Sequence, residues 1–459
     1  MSQGAEKSLL SINMDFIQTI TIRNLHAGFR RLCLTTLVTV FVCSTSASAL
    51  SKKSSYSLEN LNALKTELDP YVEDGRLPNY LLSVYHKGEL IFEAQKGHTD
   101  IALEKPIERD AIFWIASMTK PVTSVAALQL VEQGKLSLDA PLSDYLPEFA
   151  DMLVAPAGKM DSDIVAAGSP ILVKHLFTHT SGLSYGESIV GPSDVSKMYD
   201  ELDTFSSFNR RFSLGILSAE STTSSIMSTL ASIPLRAQPG TEYNYSMGTD
   251  VLGALVEKIS GMKLGDYMDE NIFRPLGMLD TGFEIPNDKI HRVAALFTAN
   301  RITVQLPGQT KNYVPFEKQN FCKSELNHHS GGTGLCSTAD DFSKFLSALM
   351  NEGKFGDKQI LKPETVQLLL ENQLPHKLGK DPLVKSFGPA GKDIYFSLGL
   401  GIATDKARNP RYYWWAGAAN TFFWFDPRTQ LSGVFMTHHF PVVYMLIEKL
   451  YARTSEAKL

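Results

Sequence analysis

Phe113-Trp114-Ile115-Ala116-Ser117-Met118-Thr119-Lys120 runs straight into Pro121 and an apolar stretch that closes at Gln133-Gly134. Residues three apart on a helix are surface neighbours, with Cβ atoms about 5 to 6 Å apart, so a helix through this segment brings the Lys120 amine to the Ser117 hydroxyl. Pro121 lacks an amide proton and fits where a helix leaves that proton unpartnered, which places the first helical turn here. Ser117 then lies at the positive helix end. That end, together with the apolar surround of Val122, Val125, Ala126, Leu128, Leu130 and Val131, disfavours an ammonium and favours the neutral amine that a general base needs.

The spacing S-x-x-K is not specific by itself, since Ser260 to Lys263 and Ser455 to Lys458 share it. Gly261 directly after Ser260 reads as a helix C-cap, so that serine faces carbonyls rather than amide protons. Ser455 belongs to a polar C-terminal tail. Ser117 has its own structural alternative, an N-cap with Lys120 solvated beside it, and the rest of the chain decides between the two.

A chain of 459 residues with 43% hydrophobic content is long enough to bury a large core. Residues 1–49 differ from the remainder. Arg30 and Arg31 precede an apolar run from Leu32 to Val42, then small residues ending Ala47-Ser48-Ala49, the pattern of a secretory signal cleaved near Ala49. The run is too short to span a bilayer, so no stable membrane anchor is expected, and Met14 is an alternative start. Cys43 follows Val42 rather than a small residue, which argues against a lipid-anchored form. The expected body is therefore 50–459, in a periplasmic or secreted protein. A net charge of −5 makes nucleic acid a poor partner. Cys322 and Cys336 are the cysteines left beyond the signal. A disulfide closing so short a loop would add about 3 kcal/mol, but in Gly334-Leu335-Cys336-Ser337 a small buried apolar residue would serve, which is the favoured reading.

Strand signals lie at both ends of the body. Tyr80 to Tyr85 and Leu90 to Ala94 form a hairpin turning at Lys87-Gly88, and strand character returns at Tyr395 to Ala403, Tyr412 to Ala416, Thr421 to Phe425 and Leu431 to His438. A closing helix is expected from Val442 to Tyr451. Between them, from 120 to about 300, helical patterns dominate: Val122 to Gln133, Ile171 to Phe177, Thr249 to Ile259 and Leu264 to Asn271. The polar stretch from Pro192 to Thr223 reads as a long surface excursion.

These segments carry a resemblance. Ser117-Met118-Thr119-Lys120 is followed by His175-Leu176-Phe177-Thr178-His179-Thr180-Ser181-Gly182-Leu183 and by Pro239-Gly240-Thr241-Glu242-Tyr243-Asn244-Tyr245-Ser246. Then come Phe273-Arg274-Pro275-Leu276-Gly277-Met278, the run from Gly331 to Asp341, and Trp415-Ala416-Gly417. In that order they resemble the serine β-lactamase-like hydrolases: class C β-lactamases, D-alanyl-D-alanine carboxypeptidases and, closest, the family VIII carboxylesterases. The resemblance implies an α/β architecture of α+β sandwich type, an antiparallel sheet flanked by helices with an inserted all-helical subdomain and a site in the cleft between. It implies Ser117 as nucleophile, Lys120 as its partner, and Tyr245 sharing the acid and base work, with Tyr243 as a competing alignment. The backbone amides of Ser117 and Ala418 become the oxyanion hole, and Trp415, Ala416, Gly417 and Met247 line the substrate site. No metal or cofactor is required.

Departures from the lactamase pattern are informative. Tyr245-Ser246-Met247 replaces Y-x-N, and Trp415 stands where K-T-G would put a cation near the substrate carboxylate. Losing one charge-assisted hydrogen bond costs about 1.5 to 3 kcal/mol, roughly tenfold to a hundredfold in binding. An anionic lactam or peptide terminus bears that loss and a neutral ester does not, so the expected substrate is a small-molecule ester. A β-lactam or a peptidoglycan peptide is the alternative. Gly182-Leu183-Ser184-Tyr185-Gly186 also fits the G-x-S-x-G elbow, but it lacks the preceding strand and following helix. The pairs His175 with His179, His328 with His329, and His438 with His439 lack a third ligand at metal-site spacing and read as structural or solvent-facing, with His328 or His329 near the cleft as the exception.

Overall fold

Lys87 and Gly88 both adopt left-handed φ, 54° and 77°, the geometry of a tight two-residue hairpin turn. They join β1 (Asn79–His86) to β2 (Glu89–Gly97), the hairpin expected from the sequence. The protein is seen here as a computed structural model that describes residues 55–161, 163–201, 222–299, 313–316, 322, 327–374, 378, 383, 392–441 and 445–459. The signal reading, with Arg30, Arg31, Met14 and the cleavage point near Ala49, lies outside the described residues, as does most of the stretch from Pro192 to Thr223.

Two further short strands, β3 (Phe113–Trp114) and β4 (Cys336–Ser337), pair with each other apart from the main sheet. The main sheet is completed from the C-terminal end of the chain by β5 (Ile394–Phe396), β6 (Gly401–Thr404), β7 (Pro410–Ala416), β8 (Phe422–Asp426) and β9 (Leu431–Met436). Its order is β5-β6-β7-β8-β9-β1-β2, and every neighbour is antiparallel. Both faces are covered, as alternate side chains of β1 show. Tyr80 donates to Asp69 of helix α1 (Leu58–Glu73) on one face. Tyr85, of opposite parity, reaches Asp340 on the other.

The helices that position the site are α2 (Thr119–Glu132), α3 (Gly248–Ser260) and α4 (Ala339–Met350), with α5 (Ile447–Glu456) closing the chain. α2 is buried around almost its whole circumference, which explains why its apolar residues follow no one-sided stripe. The helical region between β3 and β4 also contains a two-residue ladder, Leu153–Val154 with Val165–Ala166. Residues 55–459 form one compact unit.

Several expectations need correction. The strand expected from Tyr395 to Ala403 is two strands, because Gly399 at φ 102° turns the chain and Ser397 donates its amide to the Leu400 carbonyl. Its alternating apolar residues run on through the turn, which hid it. β9 ends at Met436, short of His438, and the closing helix runs Ile447–Glu456 rather than from Val442. Its buried residues Ile447, Leu450, Tyr451 and Thr454 carry the helical period. Cys322 and Cys336 are joined as a disulfide with Cα atoms 6.0 Å apart. Both are buried, so the apolar reading of Cys336 was right about its environment and wrong about its bond.

Candidate active site

The chain leaves β3 through Ala116, whose φ of 45° is unusual for a residue with a Cβ atom, into a 3-10 turn at Ala116–Met118. Such backbone persists only when its surroundings hold it. Thr119 does so: its hydroxyl donates to the Ala116 carbonyl at 2.6 Å and accepts the Leu335 amide at 3.1 Å. The α-helix proper then begins at Thr119, making Pro121 its third residue. Ser117 therefore sits in the tight turn before α2 rather than on its first α-turn.

The turn still delivers the serine to the lysine. Lys120 Nζ lies 3.2 Å from Ser117 Oγ, and Tyr245 Oη donates to the same oxygen at 2.9 Å. Of the two tyrosines that competed, Tyr245 reaches the serine. Tyr243 is packed against His179 and Phe396, where burial pushes its phenol well above its ordinary value. Lys120 is 1% exposed and Ser117 9%, so the cluster is nearly shut off from bulk water.

Sequence reasoning missed the other partners of Lys120. Its Nζ lies 3.0 Å from Tyr185 Oη and 2.9 Å from the Gly332 carbonyl oxygen. A carbonyl only accepts, so one N–H is committed to Gly332. An ammonium satisfies all three oxygens as donor, whereas a neutral amine keeps N–H bonds to Gly332 and Tyr185 and turns its lone pair toward the Ser117 hydroxyl. The geometry thus serves either form. Burial, then the charge of Asp250, holds the Tyr185 phenol well above its usual value, so it remains a neutral partner.

Asp250, on the first turn of α3, organises the other side. Its Oδ1 accepts from Ser330 Oγ at 2.6 Å and from the Gly332 amide at 3.1 Å, aiming the Gly332 carbonyl at Lys120. The glycine pair is required by space: a Cβ on Gly331 would lie 2.6 Å from the Thr249 carbonyl, and one on Gly332 would collide with the Asp250 carboxylate.

Trp415 packs beside Tyr245 and Phe396, with ring centroids 5.7 and 5.1 Å away. After it the turn at Gly417 presses onto the turn that holds Ser117. A Cβ on Gly417 would overlap the Ile115 carbonyl oxygen, and Thr421 Oγ1 donates to that same oxygen at 3.3 Å. The W-x-G glycine is thereby explained by close approach. Ala416 is half-buried at the end of β7, and Ala418 follows in the turn. Met247 is fully buried at the start of α3 and presents no surface to a substrate, a correction to its expected place in the site. Its position two residues after Tyr245 suggests the site, but packing claims it for the core.

The remaining candidates have structural contacts. Ser184 is fully buried and its Oγ donates to the Tyr185 carbonyl at 3.1 Å. His175 Nδ1 accepts the Leu172 amide, and His179 Nδ1 accepts the Ser246 amide. His328 pairs with Thr223, and His329 accepts the Gly265 amide while stacking on Phe283. His438 bridges the Trp114 amide and the Ala294 carbonyl, and His439 lies beside Asn420.

The family model "Beta-lactamase" matches residues 64–453, which takes in every group just described. The chain belongs to this family. Protein Rv1367c of Mycobacterium tuberculosis is 31% identical over 395 residues, 83% of this chain and 91% of that one. Esterase EstB of Burkholderia gladioli is 32% identical over 295 residues, 62% of this chain and 69% of that one. The unliganded Simvastatin Synthase (LovD) from Aspergillus terreus superposes with a TM-score of 0.68 at 24% identity, covering 87% of this chain and 97% of that one, a likeness of fold. The chain is thus a serine hydrolase of the β-lactamase fold with an esterase among its relatives.

Proposed function

We propose that the protein is a secreted carboxylesterase that works through an acyl-enzyme on Ser117. In the first step Ser117 Oγ attacks the ester carbonyl carbon while its proton passes to Lys120 or Tyr245. The same proton then goes to the departing alkoxide, releasing an alcohol. In the second step water attacks the acyl carbon, gives its proton to the same pair, and the Ser117 hydroxyl is restored with release of the acid. The amides of Ser117 and Ala418 hold the negative oxygen of each tetrahedral intermediate. No metal or cofactor enters.

One observation carries this reading: Lys120 Nζ and Tyr245 Oη both converge on Ser117 Oγ, at 3.2 and 2.9 Å, with Trp415 packed beside the Tyr245 ring. The convergence supports acyl transfer, and the indole in place of a cation supports a neutral ester over an anionic lactam. The relative Esterase EstB, named as an esterase, is in keeping with this reading. The secretory pattern in residues 1–49 supports export, and among the described residues no helix is long and apolar enough to cross a membrane.

The test runs chromogenic short-chain esters beside a chromogenic cephalosporin. Faster ester turnover, with fluorophosphonate labelling that Ser117→Ala abolishes, is the expected result. Faster cephalosporin turnover would reassign the substrate class, and labelling that survives Ser117→Ala would reject the nucleophile. Mass analysis of protein secreted by a cell carrying the full gene, expected to begin after Ala49, tests export.

A further inference from the structure

We propose that Asn420 is a positioning residue for the oxyanion hole, a proposal that rests on the acyl-enzyme reading above. The turn from Gly417 to Asn420 joins β7 to β8 and contains Ala418. It is closed by the Gly417 amide on the Thr421 carbonyl at 2.7 Å and the Asn420 amide on the Gly417 carbonyl at 3.1 Å. Asn420 itself is 2% exposed and takes a left-handed φ of 61°. Asparagine tolerates that conformation, and glycine adopts it freely.

A tolerance for φ does not account for the side chain. Asn420 Nδ2 donates to the His439 carbonyl at 2.6 Å and to the Pro441 carbonyl at 2.8 Å, with His439 Nδ1 at 3.4 Å. Two carbonyl acceptors require the nitrogen rather than the oxygen of the carboxamide to face them, which fixes its orientation. The His439 amide returns a bond to the Ala419 carbonyl at 3.2 Å. One side of the turn is therefore clamped to residues 439–441, and the other rests on the nucleophile turn through Gly417 and Thr421 at the Ile115 carbonyl. Ala418 lies between the two supports. An oxyanion donor is useful only when held where charge develops, and a backbone amide on a short turn moves with the turn.

The two roles of Asn420 separate by substitution. Asn420→Gly keeps the left-handed backbone and removes the clamp, and Asn420→Asp keeps the shape but sets a carboxylate against two carbonyl oxygens. The expected result is a fall in kcat/KM for an ester of about ten- to hundredfold in both variants, carried by kcat with KM little changed. The affinity of an alkyl boronic acid, whose tetrahedral adduct places an oxygen in the hole, should fall by the same factor. A clamp that served only general stability would lower the unfolding midpoint without this parallel. Asn420→Gly retaining kcat/KM within about twofold would overturn the proposal, as would a loss of kcat with boronate affinity unchanged. Fluorophosphonate labelling of the unaltered chain is run alongside. Its failure at Ser117 removes the acyl-enzyme reading and this proposal together, whereas success with an active Asn420→Gly removes this proposal alone.

Discussion

Replacing Tyr185 by phenylalanine deletes one oxygen 3.0 Å from Lys120 Nζ and leaves the rest of a fully buried ring in place. Because burial and Asp250 hold that phenol well above its ordinary value of 10, it is neutral across the working range, and the change alters hydrogen bonding without altering charge. Lys120 keeps Ser117 and Gly332 and loses its third acceptor. Leaving a buried donor unsatisfied costs about 1 to 3 kcal/mol. For a body the size of residues 55–459, an unfolding entropy of about 2.1 cal/mol/K per residue makes each kcal/mol worth roughly 1.2 °C, so Tm should fall by about 1 to 4 °C. The same loss of orientation applied to the transition state lowers kcat about ten- to hundredfold. The assays are thermal unfolding and steady-state hydrolysis of a chromogenic ester from pH 6 to 9, and the pH profile of Tyr185→Phe should keep its shape. A variant with kcat within about twofold and Tm within about 1 °C of the parent would refute the role given to Tyr185.

Gly332→Ala should lower kcat at least as far, since the added Cβ meets the Asp250 carboxylate and shifts the carbonyl that holds Lys120; steady-state kinetics with a fluorescence check of folding decide it. His438 is held at about 4 by burial against 6.5 in the unfolded chain. Its contribution to stability is therefore complete above about pH 6.5 and is lost as pH falls toward about 4, amounting to roughly 3 kcal/mol. Chemical denaturation at several pH values should show that slope, and His438→Gln, which can still accept from Trp114 and donate to Ala294, should flatten it by one proton. Cys322 and Cys336 should resist alkylation until reduced, and Cys322→Ser should lower stability by about 3 kcal/mol for a loop of separation 14, read as a drop in the unfolding midpoint.

The parts of this protein legible in the sequence are those whose geometry is local. Ser117 and Lys120 are three residues apart, so chain geometry alone brings them together, even through a 3-10 turn instead of the expected α-turn. The hairpin at Lys87-Gly88 and the helix from Thr119 follow from turn chemistry and the absence of an amide proton at Pro121 in the same way. Tyr245 stands 128 residues from Ser117, and only the resemblance to a family pointed to it. Nothing local marks Tyr185 or Gly332, which stand 65 and 212 residues from Lys120. The segment Gly182 to Gly186 drew attention through its serine, but the folded chain buries that serine and turns the next residue, a tyrosine, to the lysine. The disulfide and the clamp at Asn420 were hidden for the same reason, since their partners arrive from other elements. A sequence determines which groups share a helical turn or a hairpin, because backbone dihedrals set those distances. Which distant groups surround a buried amine is decided only when the sheet closes from both ends of the chain and packing leaves one arrangement in which every buried donor finds an acceptor.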